Sequence, residues 1–513
     1  MNPWWKRPDW YVLDSDYDKR VRKSPFEHRW FRILDKAVKQ IMRGLGSFDI
    51  LIIAGPRRTG KTSILKKIVE YNYRNKGKHF VYIQLDEYPI KKTVVDIGLK
   101  TLLNKILTQF GSQEPLIILL DEASAIENWD LHVKNIFDSF TREGKKFLIL
   151  VTGSLGMRLM AGSTNLLGRR GDIPVLRGIA NPGVILPYKF SEFSEMLSRV
   201  KTFIRVVDLL RRQEREKALI KLSEKGVVND ISLRKIEILY RRFNEILSKI
   251  FSIYLFCGGY PLIVYEFFIK NELRNLDSKW FNEFANMILE DIKYTNLRMD
   301  IARLVLDYLQ QINKMSPLVD LNKLEAHIRT ISNLSRRDLA RFSIENYINY
   351  FTGSYTMIKA VEFSQRTQHV RRIKVFIIDP FIFHAINSRG VSDPFVFSQE
   401  FLKDPTKRGV IMEHVVCSHF LRLPQPTLYY HLHEEEGRTI SEIDCICRHL
   451  DHYIPVEVTC TEKEERLREE AERVENCLDN IKINTRPIIV SNKMLEIEKN
   501  YVIIPAYLFL LLF

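Results

Sequence analysis

A loop of nine residues carries the most specific chemistry in this sequence. It reads GPRRTGKTS, and it lies between the apolar run FDILIIA and the helix-like segment SILKKIVEYN. In this strand–loop–helix context, glycines let the loop curl so that backbone N–H groups and the helix N-terminus converge on phosphate oxygens. The spacing therefore predicts a nucleotide-binding site made of Gly55, Pro56, Arg57, Arg58, Thr59, Gly60, Lys61, Thr62 and Ser63.

Two residues of this loop are predicted to take part in the chemistry. The Lys61 ammonium would neutralise the β- and γ-phosphates, and it is the first candidate catalytic residue. The Thr62 hydroxyl would bind Mg²⁺. ATP and Mg²⁺ are therefore the expected cofactors.

The carboxylates that complete such a site have two candidate positions, because two apolar runs end in Asp-Glu. The residues between Lys61 and the first pair, Asp86 and Glu87, leave room for only one helix and one strand. Asp121 and Glu122 come one strand later, which is typical of the P-loop class with an added central strand. We predict that Asp121 holds the Mg²⁺ water shell and that Glu122 orients and deprotonates the attacking water. The earlier pair is interpreted as a solvated strand end.

Polar residues after the next strand could complete the phosphate site. The strand ends in VTGS, which would place Thr152 or Ser154 beside the γ-phosphate. The segment LLGRRGD follows, and Arg169 or Arg170 could stabilise transition-state charge, in the same chain or across a subunit interface. Arg169 is the catalytic candidate, and a solvated loop arginine is the alternative.

A second acidic constellation lies near the end of the chain. SEIDCIC carries Glu442 and Asp444, and YIPVEVTCTEK carries Glu457. Many metal-dependent nucleases begin in this way and continue Glu-x-Lys, but Thr459 stands at the lysine position. Either Lys463 or an arginine of EKEERLREEAERVENCL substitutes for that lysine, or the site has decayed. We expect weak or absent cleavage, because threonine cannot supply positive charge.

The elements that would position these residues show two sequence patterns, short apolar runs and charged helical stretches. FDILIIAG, HFVYIQLD, PLIILLDE, KFLILVTGS and GVILPY are short apolar runs that predict buried parallel strands, hence a doubly wound α/β P-loop NTPase domain. After charged, helical stretches, the pattern of the last segment again predicts alternating strands and helices. The predicted domains are an aromatic and basic segment (1–45), a P-loop ATPase core (46–196), a helical insertion and lid (197–296), a winged helix-turn-helix (297–385) and a nuclease-like α/β domain (386–513).

The winged helix is predicted from the order of its elements. DLNKLEAHI, SRRDLARF and SIENYINYFTGSY read as three short helices, and two β-runs follow, separated by SQRTQHVRR. The third helix would enter a major groove, and loop arginines would reach phosphates. The candidate DNA-binding residues are Arg336, Arg337, Arg366, Arg371 and Arg372. A protein-contact or packing module is the alternative.

Composition limits the partners and the compartment. The net charge is +15, which favours a polyanionic partner and makes DNA the expected one. Six cysteines without paired C-x-x-C spacing argue against a zinc ribbon and a disulfide framework. The N-terminus lacks an apolar signal core, and the longest apolar stretch, YVIIPAYLFLLLF, is too short to span a bilayer. We predict a cytoplasmic protein with no membrane partner.

The motifs together resemble a known family. GPRRTGKTS, LIILLDEA, VTGS, GRR, LPYKFSEF and GGYP occur in the order found in archaeal AAA-type ATPases related to the STAND class, over roughly residues 25–385. The resemblance implies that Gly259 and Pro261 pack near the adenine. Many of these ATPases also carry a PD-(D/E)xK nuclease domain, in which Glu413, Asp444 and Glu457 would hold Mg²⁺. The link over 197–250 is longer than is usual for the family.

Three functions are consistent with these patterns. The preferred one is a DNA-associated ATPase whose nucleotide state alters the grip of the winged helix and the C-terminal domain. The alternatives are an active ATP-dependent nuclease and a STAND-like switch that assembles on ATP as a homo-oligomer and binds proteins.

Overall fold

The chain divides into two units. The computed structural model describes all residues except 1, 3, 5–8, 15–16, 23–27, 73–76, 112, 155, 167, 201–211, 269–275, 333–343, 364–371 and 436–437. The first unit is Met1–Leu186 with Gly353–Tyr355, and the second is Pro187–Thr352 with Thr356–Phe513.

The first unit alternates strands and helices, as the apolar runs predicted. Its strands are β1 (Phe48–Ala54), β2 (Phe80–Gln84), β3 (Leu116–Asp121), β4 (Phe147–Gly153) and β5 (Gly183–Val184). Its helices are α1 (Arg29–Met42), α2 (Lys61–Asn72), α3 (Tyr88–Ile97), α4 (Leu99–Phe110), α5 (Trp129–Arg142) and α6 (Gly156–Thr164).

The five strands form one parallel sheet in the order β2-β3-β4-β1-β5. Strand β4 therefore lies between β1, which precedes the phosphate loop, and β3, which ends in the second Asp-Glu pair. Every residue of β3 and β4 is buried, as expected for strands covered by helices on both faces. The predicted α/β fold with a parallel P-loop sheet is confirmed.

The aromatic N-terminal segment belongs to the core of this unit. Trp4 and Trp10 are each 2% exposed, and their ring centroids lie 5.3 Å apart. Trp4 Nε1 donates a hydrogen bond to the Phe80 carbonyl at the start of β2, 3.3 Å away. The segment thus covers an edge strand of the sheet.

The second unit begins with helices and continues as a mixed α/β structure. Its helices are α7 (Phe190–Val200), α8 (Arg212–Ser223), α9 (Ile231–Cys257), α10 (Pro261–Phe268), α11 (Ser278–Met287), α12 (Met299–Asn313), α13 (Leu321–Ser332), α14 (Ile344–Gly353), α15 (Pro380–Asn387), α16 (Pro394–Lys403), α17 (Pro405–His419), α18 (Glu464–Asn480) and α19 (Ala506–Leu510). Its strands are β6 (Leu318–Asp320), β7 (Met357–Glu362), β8 (Arg372–Ile377), β9 (Thr427–Glu435), β10 (Arg438–His449), β11 (His452–Val458), β12 (Ile488–Ser491), β13 (Glu496–Ile497) and β14 (Val502–Pro505).

One nine-stranded sheet runs through this unit in the order β13-β14-β12-β11-β10-β9-β7-β8-β6. Strands β7 and β9 pair in parallel where Val361 faces Tyr429 and Glu362 faces Tyr430. The segments 297–385 and 386–513, which the sequence separates into two domains, therefore share one sheet. Helix α17 packs against β8, β10 and β11, and the apolar C-terminal run is buried as β14 and α19.

The basic stretch predicted to be a helical insertion forms α8 and most of α9 where it is described. Among the described residues, no single helix has the length and apolar character needed to cross a bilayer. Helix α9 with Pro261–Phe267 meets both requirements only as a pair that is bent by 115°.

Candidate functional site

The phosphate loop connects β1 to α2 at the carboxyl end of the sheet. Its backbone adopts positive φ angles at Gly55 (154°), Arg58 (63°) and Gly60 (90°). A Cβ atom at Gly55 would lie 2.1 Å from the Ile185 carbonyl oxygen, so only glycine fits there. The loop is thus held in the curled shape that phosphate binding requires.

The loop lysine points back into this curl. Lys61 is 4% exposed, and its Nζ donates hydrogen bonds to the carbonyl oxygens of Gly55 (2.9 Å) and Pro56 (2.8 Å). Thr62 and Ser63 follow in the first turn of α2, where backbone N–H groups have no partner within the helix. These groups together fit the phosphates of a nucleoside triphosphate.

The second Asp-Glu pair lies at the carboxyl end of β3, beside the end of β4. Asp121 is 1% exposed, and its carboxylate accepts hydrogen bonds from Thr152 Oγ1 (2.5 Å) and Tyr82 OH (2.8 Å). Glu122 has a left-handed backbone (φ 52°), and its Oε2 accepts from the Ser154 amide at 3.1 Å. Both donors to Asp121 are neutral hydroxyls, so the residues present fit a hydrated Mg²⁺ ion.

The first Asp-Glu pair differs in its surroundings. Asp86 and Glu87 lie beyond the end of β2 and are exposed to solvent. A carboxylate in bulk water is already solvated, which matches the solvated strand end expected for this pair.

Arg169 lies at the opposite end of the sheet. Its guanidinium binds both carboxylate oxygens of Asp138 on α5, at 2.8 and 3.1 Å. Nearby, Asp172 accepts a hydrogen bond from the Ser47 amide just before β1. Strand β1 has seven residues, so roughly 20 Å separates this end from the phosphate loop. The geometry opposes a contribution of Arg169 to the site of its own chain, and a contribution across a subunit interface stays a prediction.

Two of the family-like motifs, LPYKFSEF through Tyr188 and GGYP through Gly259, meet in the second unit close to Asp379, the N-cap of α15. Its carboxylate accepts hydrogen bonds from the backbone amides of Gly259 (2.7 Å) and Phe381 (2.9 Å). A Cβ atom at Gly259 would lie 1.9 Å from the Tyr188 carbonyl oxygen. Burial raises the pKa of Asp379 to about 6. Gly259 of GGYP thus has a packing reason to be glycine, and the adenine contact expected for Pro261, the first residue of α10, stays a prediction.

The acidic constellation of the second unit contains a cation that the sequence pattern did not reveal. Lys374 lies on β8 and is 1% exposed. Its Nζ contacts Glu442 Oε1 (2.6 Å), Asp444 Oδ1 (2.6 Å) and Glu413 Oε1 (2.9 Å). Burial disfavours the charged amine, but the three carboxylates together hold the pKa of Lys374 well above its usual value. Lys374 is therefore an ammonium ion with three carboxylate partners.

The fourth acid of this acidic cluster, Glu457, is held differently. Its Oε2 accepts a hydrogen bond from the Asp444 amide at 3.0 Å, and Arg473 Nη2 on α18 lies 3.8 Å from its Oε1. Burial, followed by the charge of Asp444, raises the pKa of Glu457 well above its usual value. An arginine of the helix after β11 thus lies close to Glu457, and its substitution for the motif lysine stays a prediction.

The expectation that Glu413, Asp444 and Glu457 form a magnesium site stays a prediction, and the contacts of these residues do not favour it. The Lys374 ammonium stands among the carboxylates where a metal ion would bind, and like charges exclude each other there. Within the described part of the chain, no group of three or more His, Cys, Asp or Glu side chains is arranged to hold a metal ion. The residues present do not fit Mg²⁺.

Sequence reasoning missed Lys374 because it read RRIKVFIIDP only as a strand. All residues of β8 after Arg372 are buried. A single lysine inside a buried apolar strand must find a counter-charge, and this was the signal that could have identified it.

Most of the predicted DNA-binding arginines cannot be placed. Arg336, Arg337, Arg366 and Arg371 lie outside the described residues. Arg372 begins β8, is partly exposed, and its carbonyl oxygen accepts a hydrogen bond from Tyr430 OH at 3.1 Å. The wing that these arginines were predicted to form stays a prediction.

Comparison with known families bears on the first unit. Residues 47–193 match the model of the family described as "AAA domain", which covers β1 to β5 and the phosphate loop between β1 and α2. These residues form an AAA domain of the P-loop ATPase class. The match includes the loop lysine, both acidic residues that end β3, and Thr152.

Two proteins of Methanocaldococcus jannaschii are similar to a longer part of the chain. Uncharacterized protein MJ1544 is 25% identical over 334 residues, which is 64% of this chain and 60% of that protein. Uncharacterized protein MJ1637 is 22% identical over 287 residues, 55% of this chain and 50% of that protein. The chain thus spans about half to three-fifths of these relatives.

Similar solved structures include two archaeal proteins. The Aeropyrum pernix ORC1 protein in complex with DNA is 16% identical, with 76% of this chain and 97% of that chain covered and a TM-score of 0.35. Cdc6p from Pyrobaculum aerophilum is 14% identical, with 73% and 98% covered and a TM-score of 0.25. Both TM-scores are below 0.5, so these likenesses do not bear on function.

Proposed function

We propose that this chain is a Mg²⁺-dependent ATPase that binds DNA, with nucleotide state controlling DNA engagement or assembly. The observation that carries the proposal is the curled phosphate loop beside the end of β3, where the buried Asp121 is followed by the half-buried Glu122. Asp121 and Thr152 lie on neighbouring parallel strands and share a hydrogen bond of 2.5 Å. A cytoplasmic location is part of this proposal.

The residues of the AAA domain would act as follows. The amides of the loop and of the first turn of α2 bind phosphate oxygens, and Lys61 turns from the loop carbonyls to the β- and γ-phosphates. Thr62 and Asp121 would hold Mg²⁺, which offsets phosphate charge when it is bound. Glu122 orients a water molecule and takes its proton. Thr152 keeps the Asp121 carboxylate aimed at the metal position.

Support for DNA binding comes from the topology between α12 and β8. The order α12-β6-α13-α14-β7-β8, with β8 antiparallel to both β6 and β7, is the order of a winged helix-turn-helix. The net charge of +15 favours a polyanion. We infer that this module contacts DNA through phosphates, with Arg336, Arg337, Arg366, Arg371 and Arg372 as candidates.

A degenerate nuclease-like domain is the finer part of the proposal. Helix α17, the antiparallel strands β9, β10 and β11, helix α18 and the parallel strand β12 follow in the order of the PD-(D/E)xK fold. Thr459 stands where the motif lysine belongs. The Lys374 contacts favour a site without metal-dependent cleavage over the active nuclease.

The test is the ATP hydrolysis rate of the full chain with and without single-stranded, duplex and branched DNA. We expect Mg²⁺-dependent hydrolysis, with a rate that changes when at least one DNA form is added. A chain that hydrolyses no ATP with Mg²⁺ would contradict the enzyme proposal. Hydrolysis that no DNA alters, together with no DNA binding at low salt, would instead favour the protein-binding switch.

A further inference from the structure

Lys374 occupies the centre of the acidic cluster formed by Glu413, Glu442, Asp444 and Glu457. Three carboxylates from two different elements pair with its ammonium at 2.6–2.9 Å, and those of Glu413 and Asp444 accept hydrogen bonds from it. Glu413 comes from α17, while Glu442 and Asp444 come from β10. One cationic centre bound by several carboxylate oxygens is the arrangement that a hard divalent cation would require.

The position of Lys374 is fixed by the sheet. Strand β8 pairs with β6 on one side and β7 on the other, and Lys374 faces Leu318 and Ala360 in the two registers. Both neighbours along the chain, Ile373 and Val375, are buried. The backbone of Lys374 therefore stays beside the cluster unless strands separate.

We propose that Lys374 is a built-in replacement for a divalent cation, which closes the acidic cluster to metal ions and ties β8 to α17 and β10. The cluster is then a structural junction between the segments 297–385 and 386–513, and its single positive charge cannot activate water as Mg²⁺ does. This inference rests on the proposed nuclease-like fold only for the comparison with a metal site.

The junction has a clear physical consequence. Removal of the ammonium leaves the carboxylates of Glu413 and Asp444 facing the half-buried Glu442 without a counter-charge, which destabilises the folded state. A divalent cation could then take the vacated position, since the remaining ligands are carboxylate oxygens. The loss of Lys374 should therefore convert a metal-independent protein into one whose stability depends on metal.

The experiment uses the full chain without nucleotide and Mn²⁺ as the probe. Four proteins are compared: the parent, Asp444→Asn, Lys374→Met, and Lys374→Met with Asp444→Asn. Mn²⁺ uptake is measured by electron paramagnetic resonance, and the thermal midpoint is measured with and without Mn²⁺. Because Asp444→Asn removes one ligand of the cluster alone, it separates this site from the ATP site.

We expect the parent and Asp444→Asn to take up the same amount of Mn²⁺. Lys374→Met should melt roughly 10 °C lower than the parent. Mn²⁺ should recover part of that loss, and this variant should bind one Mn²⁺ ion more than the double variant. Basal ATP hydrolysis should be unchanged in all of them, so a missing ATPase would count only against the proposed enzyme.

Two outcomes would overturn the inference. One is a parent protein that binds a Mn²⁺ ion which Asp444→Asn fails to bind, because the cluster would then be open to metal. The other is a Lys374→Met protein as stable as the parent without metal. If Lys374→Met does not fold, the comparison of the parent with Asp444→Asn still decides the first point, and Glu413→Gln provides a second ligand variant.

Discussion

Two buried aspartates, one in the sheet of each unit, have opposite surroundings in this protein. In the AAA domain, Asp121 accepts hydrogen bonds from the hydroxyls of Thr152 and Tyr82. In the acidic cluster of the second unit, Asp444 contacts the Lys374 ammonium at 2.6 Å. Neutral hydroxyls orient a carboxylate without cancelling its charge, whereas an ammonium cancels it.

This difference separates a site that is prepared for a cation from one that already contains its own. A carboxylate held by hydroxyls keeps a negative charge available to a hydrated metal ion. In the acidic cluster, three carboxylates share one ammonium ion, which stands where a metal ion would bind. The similarity of acidic motifs in a sequence therefore says little until the counter-charges are located.

The largest expected effect concerns the acid that would activate water. Glu122→Gln should retain ATP and hydrolyse it about 10²–10⁴-fold more slowly, because the amide cannot take a proton. The matched control is Glu87→Gln, which alters the exposed Asp-Glu pair after β2 and should leave the rate unchanged. Steady-state ATPase assays check this, and equal rates for both variants would show that the acidic pair is wrongly assigned.

The loop lysine should matter for binding. Lys61→Ala removes a charge-assisted contact to phosphate worth about 1.5–3 kcal/mol, so ATP should bind about 10–100-fold more weakly. Lys92→Ala, which alters an exposed lysine of α3, is the control and should bind ATP like the parent. Equilibrium titration with a fluorescent ATP analogue measures both. If Lys61→Ala binds ATP with the affinity of the parent, the loop is wrongly assigned as the phosphate-binding site.

Acid should weaken the second unit through its buried histidines. Burial lowers the pKa of His384 to about 4, and its Nε2 lies 2.9 Å from the Leu255 carbonyl oxygen. Because the pKa of His384 is depressed in the folded state, the neutral histidine contributes to the free energy of unfolding above about pH 6.5. This contribution is lost as the pH falls towards 4. Asp379 has a raised pKa, so its protonation below about pH 6 increases the free energy of unfolding and opposes the effect of His384.

The variant His384→Gln isolates the histidine. Between pH 7 and pH 4.5 the parent should lose about 2 kcal/mol more free energy of unfolding than His384→Gln. Urea unfolding at a series of pH values measures the difference. Parallel pH profiles for the two proteins would show that His384 is not buried in its neutral form.

DNA affinity should depend steeply on salt. Replacement of Arg366, Arg371 and Arg372 by alanine should flatten the salt dependence by up to about 0.9 log units per lost contact per tenfold change in salt. Arg448→Ala, an exposed arginine of β10, is the control. Fluorescence anisotropy with duplex DNA measures the slopes. A triple variant with the slope of the parent would place the DNA contact elsewhere.

The smallest expected effect is on DNA integrity. Supercoiled plasmid incubated with the parent and Mg²⁺ or Mn²⁺ should stay intact, because Lys374 excludes the metal and Thr459 supplies no cation. Asp444→Ala and Glu457→Ala should behave like the parent. If the parent nicks the plasmid and both variants do not, the active-nuclease alternative is supported. The acidic cluster would then bind metal, as the ATP site is proposed to do.

The sequence by itself determined the phosphate site. Its loop, the strand before it and the helix after it are contiguous, so local spacing was enough to predict an α/β P-loop domain. The choice of Asp121 over Asp86 also came from spacing, and the parallel order of the strands agrees with it. The roles of Lys61, Glu122 and Pro261 in catalysis and binding stay predictions.

Only the tertiary structure decided the state of the acidic cluster. Lys374 is 39 residues from Glu413 and 70 residues from Asp444 along the chain. No local pattern connects them, because they meet through the pairing of β7 with β9 and the packing of α17 on β8. The same reason explains Arg169, whose place at the amino end of the sheet follows from its bond to Asp138 on α5. Counter-charges between distant segments are set by strand order and helix packing, and these follow from the burial of apolar surface over the whole unit.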